Sequence, residues 1–294
     1  MGMRFDVACH TDTGLSRKVN QDSACAMTAL LRGIPICMLV LCDGMGGASM
    51  GEYASRCVVM EFADWFEHEL PALAEQEIQL SGIRTVWTNM LVRLDEEMRA
   101  YGRRRGLKLG TTATCMLFWK GDYLLMQSGD SRAYEIYRRA TQLTEDQSYV
   151  QQQVRMGRLT SEEARRHPRR NVLTDCVGGS RPSVPKADMG KVRGNAVYLL
   201  CSDGLVHEVE ERELSARLSP WRCSHISALQ EGLVQLTELV KKRGETDNIT
   251  AIGMRIKKER GQEKAGIPFL LTEKMILCDS GGETIETSGE ENED

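Results

Sequence analysis

Apolar runs that close on an aspartate recur along this chain. Ile34 to Cys42 is one such run, with Pro35 near its start; it predicts a buried strand with Asp43 at its exit, where the chain turns on Gly44, Gly46 and Gly47. The pattern returns in Tyr123 to Asp130 and in Ala196 to Asp203, each with a glycine beside the aspartate. Two further aspartates open strands instead: Asp22 precedes Ser23 to Leu30, and Asp247 precedes Asn248 to Ile256. Alternation predicts other strands over Met3 to Thr11, Gly110 to Trp119, Ser131 to Arg138 and the 183–202 region, with a hairpin turn at Gly121-Asp122.

Helical spacing appears between these runs. Ala48 to Leu70 places Ala54, Val58, Phe62, Trp65 and Phe66 on one face, and Pro71 is expected to end that helix. Gln76 to Arg105 follows with Ile83, Trp87, Leu91, Leu94 and Met98. Short helices rich in Gln and Arg fill 146–170, and Glu210 to Leu218 and His225 to Lys241 complete the set. Two groups of strands and two of helices predict an α+β fold, a four-layer αββα sandwich of mostly antiparallel sheets flanked by helix pairs.

In antiparallel sheets the end of one strand lies beside the start of the next, so all five aspartates can meet at one edge. A lone strand-end aspartate is more often a turn former or a helix cap. Five in matching contexts favour a shared site. Clustered carboxylates raise one another's pKa unless divalent cations lie between them. No histidine or cysteine accompanies them at ligand spacing, so an oxygen-only set points to Mg²⁺ or Mn²⁺ rather than zinc.

Composition narrows the class. The 294 residues carry a formal charge of −4, which argues against a general nucleic-acid binder. Seven acids and no base fall in Asp279 to Asp294, so residues 257–294 read as a charged, partly disordered extension of a 1–256 domain, with an apolar patch from Ile267 to Leu277 that docks on the domain or on a partner. Ten cysteines without regular spacing, several inside apolar runs, read as buried thiols of a reducing compartment. No apolar run approaches the ~20 residues of a membrane span, and no secretion signal opens the chain. A soluble cytoplasmic monomer, bound to neither nucleic acid nor membrane, is the expectation.

Seven segments in series resemble the bacterial form of the metal-dependent serine/threonine protein phosphatases of type 2C: Arg17-Lys-Val-Asn-Gln-Asp22, Asp43-Gly-Met-Gly-Gly47, Gly110-Thr-Thr112, Gly129-Asp-Ser-Arg132, Leu143-Thr-Glu-Asp146, Ser202-Asp-Gly-Leu205 and Thr246-Asp-Asn-Ile-Thr250. The resemblance implies hydrolysis of phosphoserine and phosphothreonine in proteins by a metal-bridging hydroxide, with two to three Mg²⁺ or Mn²⁺ ions, opposing a bacterial Ser/Thr kinase. It further implies that Asp43 bridges two metals, that the Gly44 carbonyl joins one shell, and that Asp203 and Asp247 complete the other. Asp22 acts through water beside them, Asp130 serves a third, looser ion, and Arg17 holds the substrate phosphate. Six arginines between Arg155 and Arg170 fall in the family's variable flap, and Arg169 and Arg170 are candidates for attracting phosphoproteins. Thr111 and Thr112 read as the start of a strand, and Arg132 as a brace for the acids.

One departure stands out. Many relatives carry a histidine near the aspartate-glycine turn as proton donor, whereas Met45 and Ala48 stand here. Losing such a donor costs roughly 10²–10⁴ in rate for a poor leaving group. The alternative reading is therefore a slow or inactive phosphatase-like module that binds phosphoproteins. A two-metal nuclease fits less well, for want of a basic, aromatic groove.

Overall fold

The structure, a computed structural model, describes residues 2–46, 50–75, 78–259, 268–278 and 287–288. Alternation along the strands sets the layers. In β2 (Asp22–Leu31) and β3 (Ile34–Gly46), Ala24, Ala26, Cys37, Leu39 and Leu41 face a second sheet, while Cys25, Met27, Met38, Val40 and Cys42 face helices. Both faces are covered, which is why these strands read as continuous apolar runs.

The larger sheet adds β4 (Leu109–Thr111), β5 (Ala113–Trp119), β6 (Asp122–Ser128), β9 (Lys186–Lys191), β12 (Phe269–Cys278) and the short β13 (Thr287–Ser288), in the order β13-β12-β2-β3-β5-β6-β9 with β4 on β3. The smaller sheet runs β1-β11-β10-β7-β8, from β1 (Gly2–Asp12), β7 (Arg132–Ile136), β8 (Ala140–Gln142), β10 (Val197–Cys201) and β11 (Ile249–Glu259). Every named strand pair is antiparallel. Helices α1 (Gly51–Asp64) and α3 (Leu80–Arg105) cover the larger sheet, and α7 (Glu211–Leu218) and α8 (Ile226–Lys242) the smaller one. The αββα sandwich of the sequence reading is the observed architecture. Trp87 anchors the first helix layer, edge-on to Phe62 at 5.0 Å and to Trp65 at 5.5 Å.

Two expectations are corrected. Pro71 does not end the first helix: a π turn over Trp65–Glu69 leads into α2 (Leu70–Glu75). The proline thus falls in the first turn of a new α segment, where its missing N–H is tolerated. The chain does not leave the sheet at Asp43 either, because β3 continues to Gly46 by pairing with β4. Of the two alternatives for the apolar patch beyond residue 256, docking on the domain is the one observed: β12 pairs with the edge of β2, and Phe269 meets Phe66 at 6.1 Å. Covering an edge strand removes a template for unwanted pairing. The acidic stretch 279–286 and residues 289–294 lie outside the described residues, as does Ala48.

Candidate functional site

The five aspartates come together where the two sheets meet at one end. Asp22 and Asp43 are direct register partners across β2 and β3 of the larger sheet. Asp203 opens the short α6 (Asp203–Val206) at the exit of β10, and Asp247 precedes β11, its neighbour in the smaller sheet. Asp130 sits in the turn by which β6 of one sheet passes to β7 of the other.

Backbone and hydroxyl groups fix Asp43. Its N–H donates to Thr112 Oγ1 at 2.8 Å, and its carbonyl accepts from the Thr112 amide at 2.8 Å and Thr111 Oγ1 at 3.0 Å. The Gly110-Thr-Thr112 segment therefore positions Asp43 as well as starting a strand. Gly44 is required by close approach: a Cβ there would lie 2.1 Å from the Gly51 carbonyl oxygen and 2.5 Å from that of Gln21. Ser202 ties the sheets together, donating to Asp22 Oδ2 at 2.9 Å while accepting the Thr250 amide at 3.0 Å.

Asn248 pins the loop that carries Arg17. Its amide nitrogen donates to the carbonyls of Thr13 at 2.9 Å and Val19 at 3.1 Å, and its oxygen accepts the Gln21 amide at 2.9 Å. Gly14, at φ +78°, lets that loop pass Asp247, whose carbonyl oxygen would be 2.0 Å from any Cβ. Arg17 then reaches Asp247 Oδ2 at 2.7 Å. That hydrogen bond raises the guanidinium pKa, with Asp43 and Asp203 adding to it against partial burial.

Electrostatically the cluster is a concentration of unwelcome charge. Burial, then the charges of Asp203 and Asp247, push Asp22 up to about 7. Burial, then Asp203 and Asp146, push Asp130 up to about 8. Asp43 rises well above the carboxylate range through removal from water and the charges of Asp22, Asp203, Asp130 and Asp247. Asp203 rises for the same first reason, with His207 opposing and Asp247 and Glu245 adding to it, and a close approach to Asp43 works the other way. Two carboxylates meet in this way only by sharing a proton, a position that a divalent cation fills more readily.

Asp22 Oδ1 and Asp203 Oδ1 are buried without a hydrogen-bond partner. Buried oxygens left over in this way fit a hard cation, as does an all-oxygen donor set. Among the described residues no three carboxylate, imidazole or thiolate groups close into a ready cage. Both oxygens of Asp247 are engaged, one by Arg17 and the other by the Asn248 amide at 2.8 Å.

Sequence reasoning missed two neighbours. His207, one turn after Asp203 on the helix side, places Nε2 3.6 Å from Asp203 Oδ2 and Nδ1 3.4 Å from Glu245 Oε2. Burial works against its charged form, yet Glu245 and Asp203 outweigh it and raise its pKa. Glu245 is buried, and its other oxygen accepts the amides of Thr246 at 2.7 Å and Asp247 at 3.0 Å. It brackets the turn before Asp247 and the ring beside Asp203 together. The i, i+4 spacing of Asp203 and His207 was the available signal; nothing local marks Glu245.

Arg132 braces the region by a two-point pair with Asp146, at 2.9 and 2.7 Å. In the 146–170 segment, Arg165 and Arg170 line a cavity of about 240 Å³ together with Asp130, Asp203 and His207. Arg169 instead stacks over Tyr149 at 5.3 Å. The ten cysteines are free thiols, and burial pushes Cys201 up to about 12, so it is a packing group rather than a nucleophile.

Residues 13–240 match the family model described as Protein phosphatase 2C. The serine/threonine protein phosphatase PstP of Mycobacterium tuberculosis is 32% identical over 246 residues, 83% of this chain and 44% of PstP, so the chain spans under half of that relative's length. The structure of serine/threonine phosphatase Stp1 from Staphylococcus aureus aligns with a TM-score of 0.75 at 30% identity, over 88% of this chain and 97% of Stp1. The catalytic domain of PstP in complex with two manganese ions aligns at 0.68 and 28% identity, over 87% of this chain and all of that one. The match spans both sheets and both helix layers, and with it the chain belongs to the protein phosphatase 2C family.

Proposed function

We propose that this chain hydrolyses phosphoserine and phosphothreonine in proteins, using two to three Mg²⁺ or Mn²⁺ ions, in opposition to a Ser/Thr kinase of the same cell. The observation that carries this reading is the convergence of Asp22, Asp43, Asp130, Asp203 and Asp247 from both sheets into one crowded cluster. Asp43, Asp203 and Asp247, with the Gly44 carbonyl, would hold two ions; Asp130 would serve a third, and Asp22 would stand beside them. When bound, such cations acidify water and neutralise charge on phosphoryl oxygens.

The chain's own groups supply the rest. Arg17 is half exposed at the mouth of the cluster, where its planar fork suits two phosphate oxygens. Asn248 keeps that arginine's loop in place, and Thr111 and Thr112 keep Asp43 aimed at the junction of the sheets. Ser202 holds one oxygen of Asp22 by a donated proton, which leaves the other for the site.

A second reading, a module that binds phosphoproteins with little turnover, is favoured by Met45, which offers no proton to a leaving alkoxide. Manganese-dependent release of phosphate from a phosphothreonine peptide separates the two. The phosphatase reading expects release by wild type that is lost in Asp43→Asn; tight peptide binding without release supports the silent module.

A further inference from the structure

A groove of about 640 Å³ begins at Met45 and Gly46, the residues directly after Asp43 and Gly44, and runs between the end of α3 and the 176–180 loop. Its apolar lining comes from Leu107, Leu109 and Leu173, and its cationic rim from Arg103 and Lys108. The wall is fixed in place. Buried Asp95 accepts from Arg99 Nε at 2.8 Å and from the amides of Gly178 at 2.9 Å and Ser183 at 3.3 Å.

The rim cations differ from three arginines near the site that are held by carboxylates, and share their lack of an ion partner among the described residues with Arg165 and Arg170 of the cavity on the other side. Arg17 pairs with Asp247, Arg99 with Asp95 and Arg132 with Asp146. Arg103, Arg104 and Lys108 are exposed and have no ion partner among the described residues. Arginines in a last helical turn complement the helix dipole, which accounts for Arg103 and Arg104 in part. Lys108 lies beyond Gly106, where the helix has ended, so the dipole does not explain it.

We propose that this groove binds the substrate chain beside the phosphorylated residue and selects acidic side chains there. The inference rests on the phosphatase reading and adds a substrate class to it: phosphoproteins whose phosphosite is flanked by Asp or Glu on the side that lies along α3. Unpaired cations on a partly apolar groove that starts two residues beyond Asp43 have the charge to recognise such a chain. The phosphate itself stays with the cluster and Arg17.

Matched phosphothreonine peptides test this: one neutral, one with three acidic residues before the phosphothreonine, one with three after it. With manganese present, one acidic peptide should exceed the neutral one in kcat/KM, and added salt should shrink the difference. The double variant Arg103→Glu/Lys108→Glu should lower kcat/KM for that peptide by about tenfold, chiefly through KM, since each exposed pair contributes modestly. Its turnover of p-nitrophenyl phosphate and of the neutral peptide should match wild type. The milder Arg103→Gln/Lys108→Gln should give a smaller loss in the same direction. Equal rates on all three peptides, or equal losses on acidic and neutral peptides, would overturn the groove's role while leaving the phosphatase reading intact. Failure of wild type to hydrolyse any peptide or p-nitrophenyl phosphate would instead sink the phosphatase reading.

Discussion

The guanidinium of Arg17 lies 2.7 Å from Asp247, so the group suited to a phosphate is paired with a carboxylate of the aspartate cluster. The two are half exposed and partly exposed, and an ion pair in such a setting contributes about 1 kcal/mol or less. A divalent cation at Asp247, or a dianionic phosphate at Arg17, outbids it. Arg17→Ala should therefore lower kcat/KM for phosphopeptides by about 10- to 100-fold, the worth of a charge-assisted contact, without weakening manganese affinity. Calorimetry with Mn²⁺ on both proteins checks the second half; a large loss of affinity would show that Arg17 shapes the metal site instead.

Metal removal should make stability fall as pH rises. Asp22 and Asp130 have an ordinary value of 3.8 and folded values of about 7 and about 8. The folded state therefore binds more protons than the unfolded state between about pH 4 and pH 8, and the slope of unfolding free energy with pH is negative there. Thermal melts of chelator-treated protein should drop in Tm across that window. Added Mn²⁺ should raise Tm most at the upper end, where the carboxylates are free to bind it. A Tm independent of pH in the chelated protein would contradict the crowding of these acids.

Glu245 offers a sharper test of positioning. It holds the amides before and at Asp247 and the His207 ring beside Asp203, so removing it loosens two carboxylates at once. Glu245→Ala should weaken Mn²⁺ binding by about 10- to 100-fold, the usual cost of losing a group that orients a ligand. Glu245→Gln, which keeps an acceptor for both amides, should recover most of that loss. Calorimetric affinities that match wild type in the alanine variant would remove Glu245 from the site's design.

Gly44→Ala should be far more damaging than a glycine-to-alanine change at an open turn. Its Cβ would stand 2.1 Å from a backbone oxygen of Gly51 and 2.5 Å from one of Gln21, and neither can move without pulling α1 or β2. A lower Tm together with lost manganese affinity is the expected pair of results. Gly121→Ala, with nothing within 4 Å of the added carbon but a φ of +84°, carries left-handed strain without a clash, and its smaller loss should leave manganese affinity unchanged.

The five aspartates were legible because each closes or opens an apolar run in the sequence, a local signal that holds even at Asp43, where β3 itself runs on to Gly46. The sandwich followed from the same runs. Ser202, Glu245 and the Thr112–Asp43 contact were not legible. The partners of Ser202 and Thr112 lie far away in sequence, 180 residues for Ser202 and Asp22 and 69 for Thr112 and Asp43, and Glu245 joins the Asp203 side of the site through His207 on another element; no local pattern encodes such pairings. Pro71 misled because its effect depends on the π turn before it, which carries the buried Trp65 and Phe66 and which no local pattern marks. Strand β12 was hidden by its surroundings: charged residues on both sides made its apolar stretch read as part of a tail.

The central claim is that the clustered aspartates share hard cations, and anomalous scattering from a crystal soaked in Mn²⁺ tests it most directly. The account predicts manganese peaks among Asp43, Asp203 and Asp247, with Arg17 drawn away from Asp247. A crystal that takes up Mn²⁺ only elsewhere, while the same protein releases phosphate in solution, would contradict it.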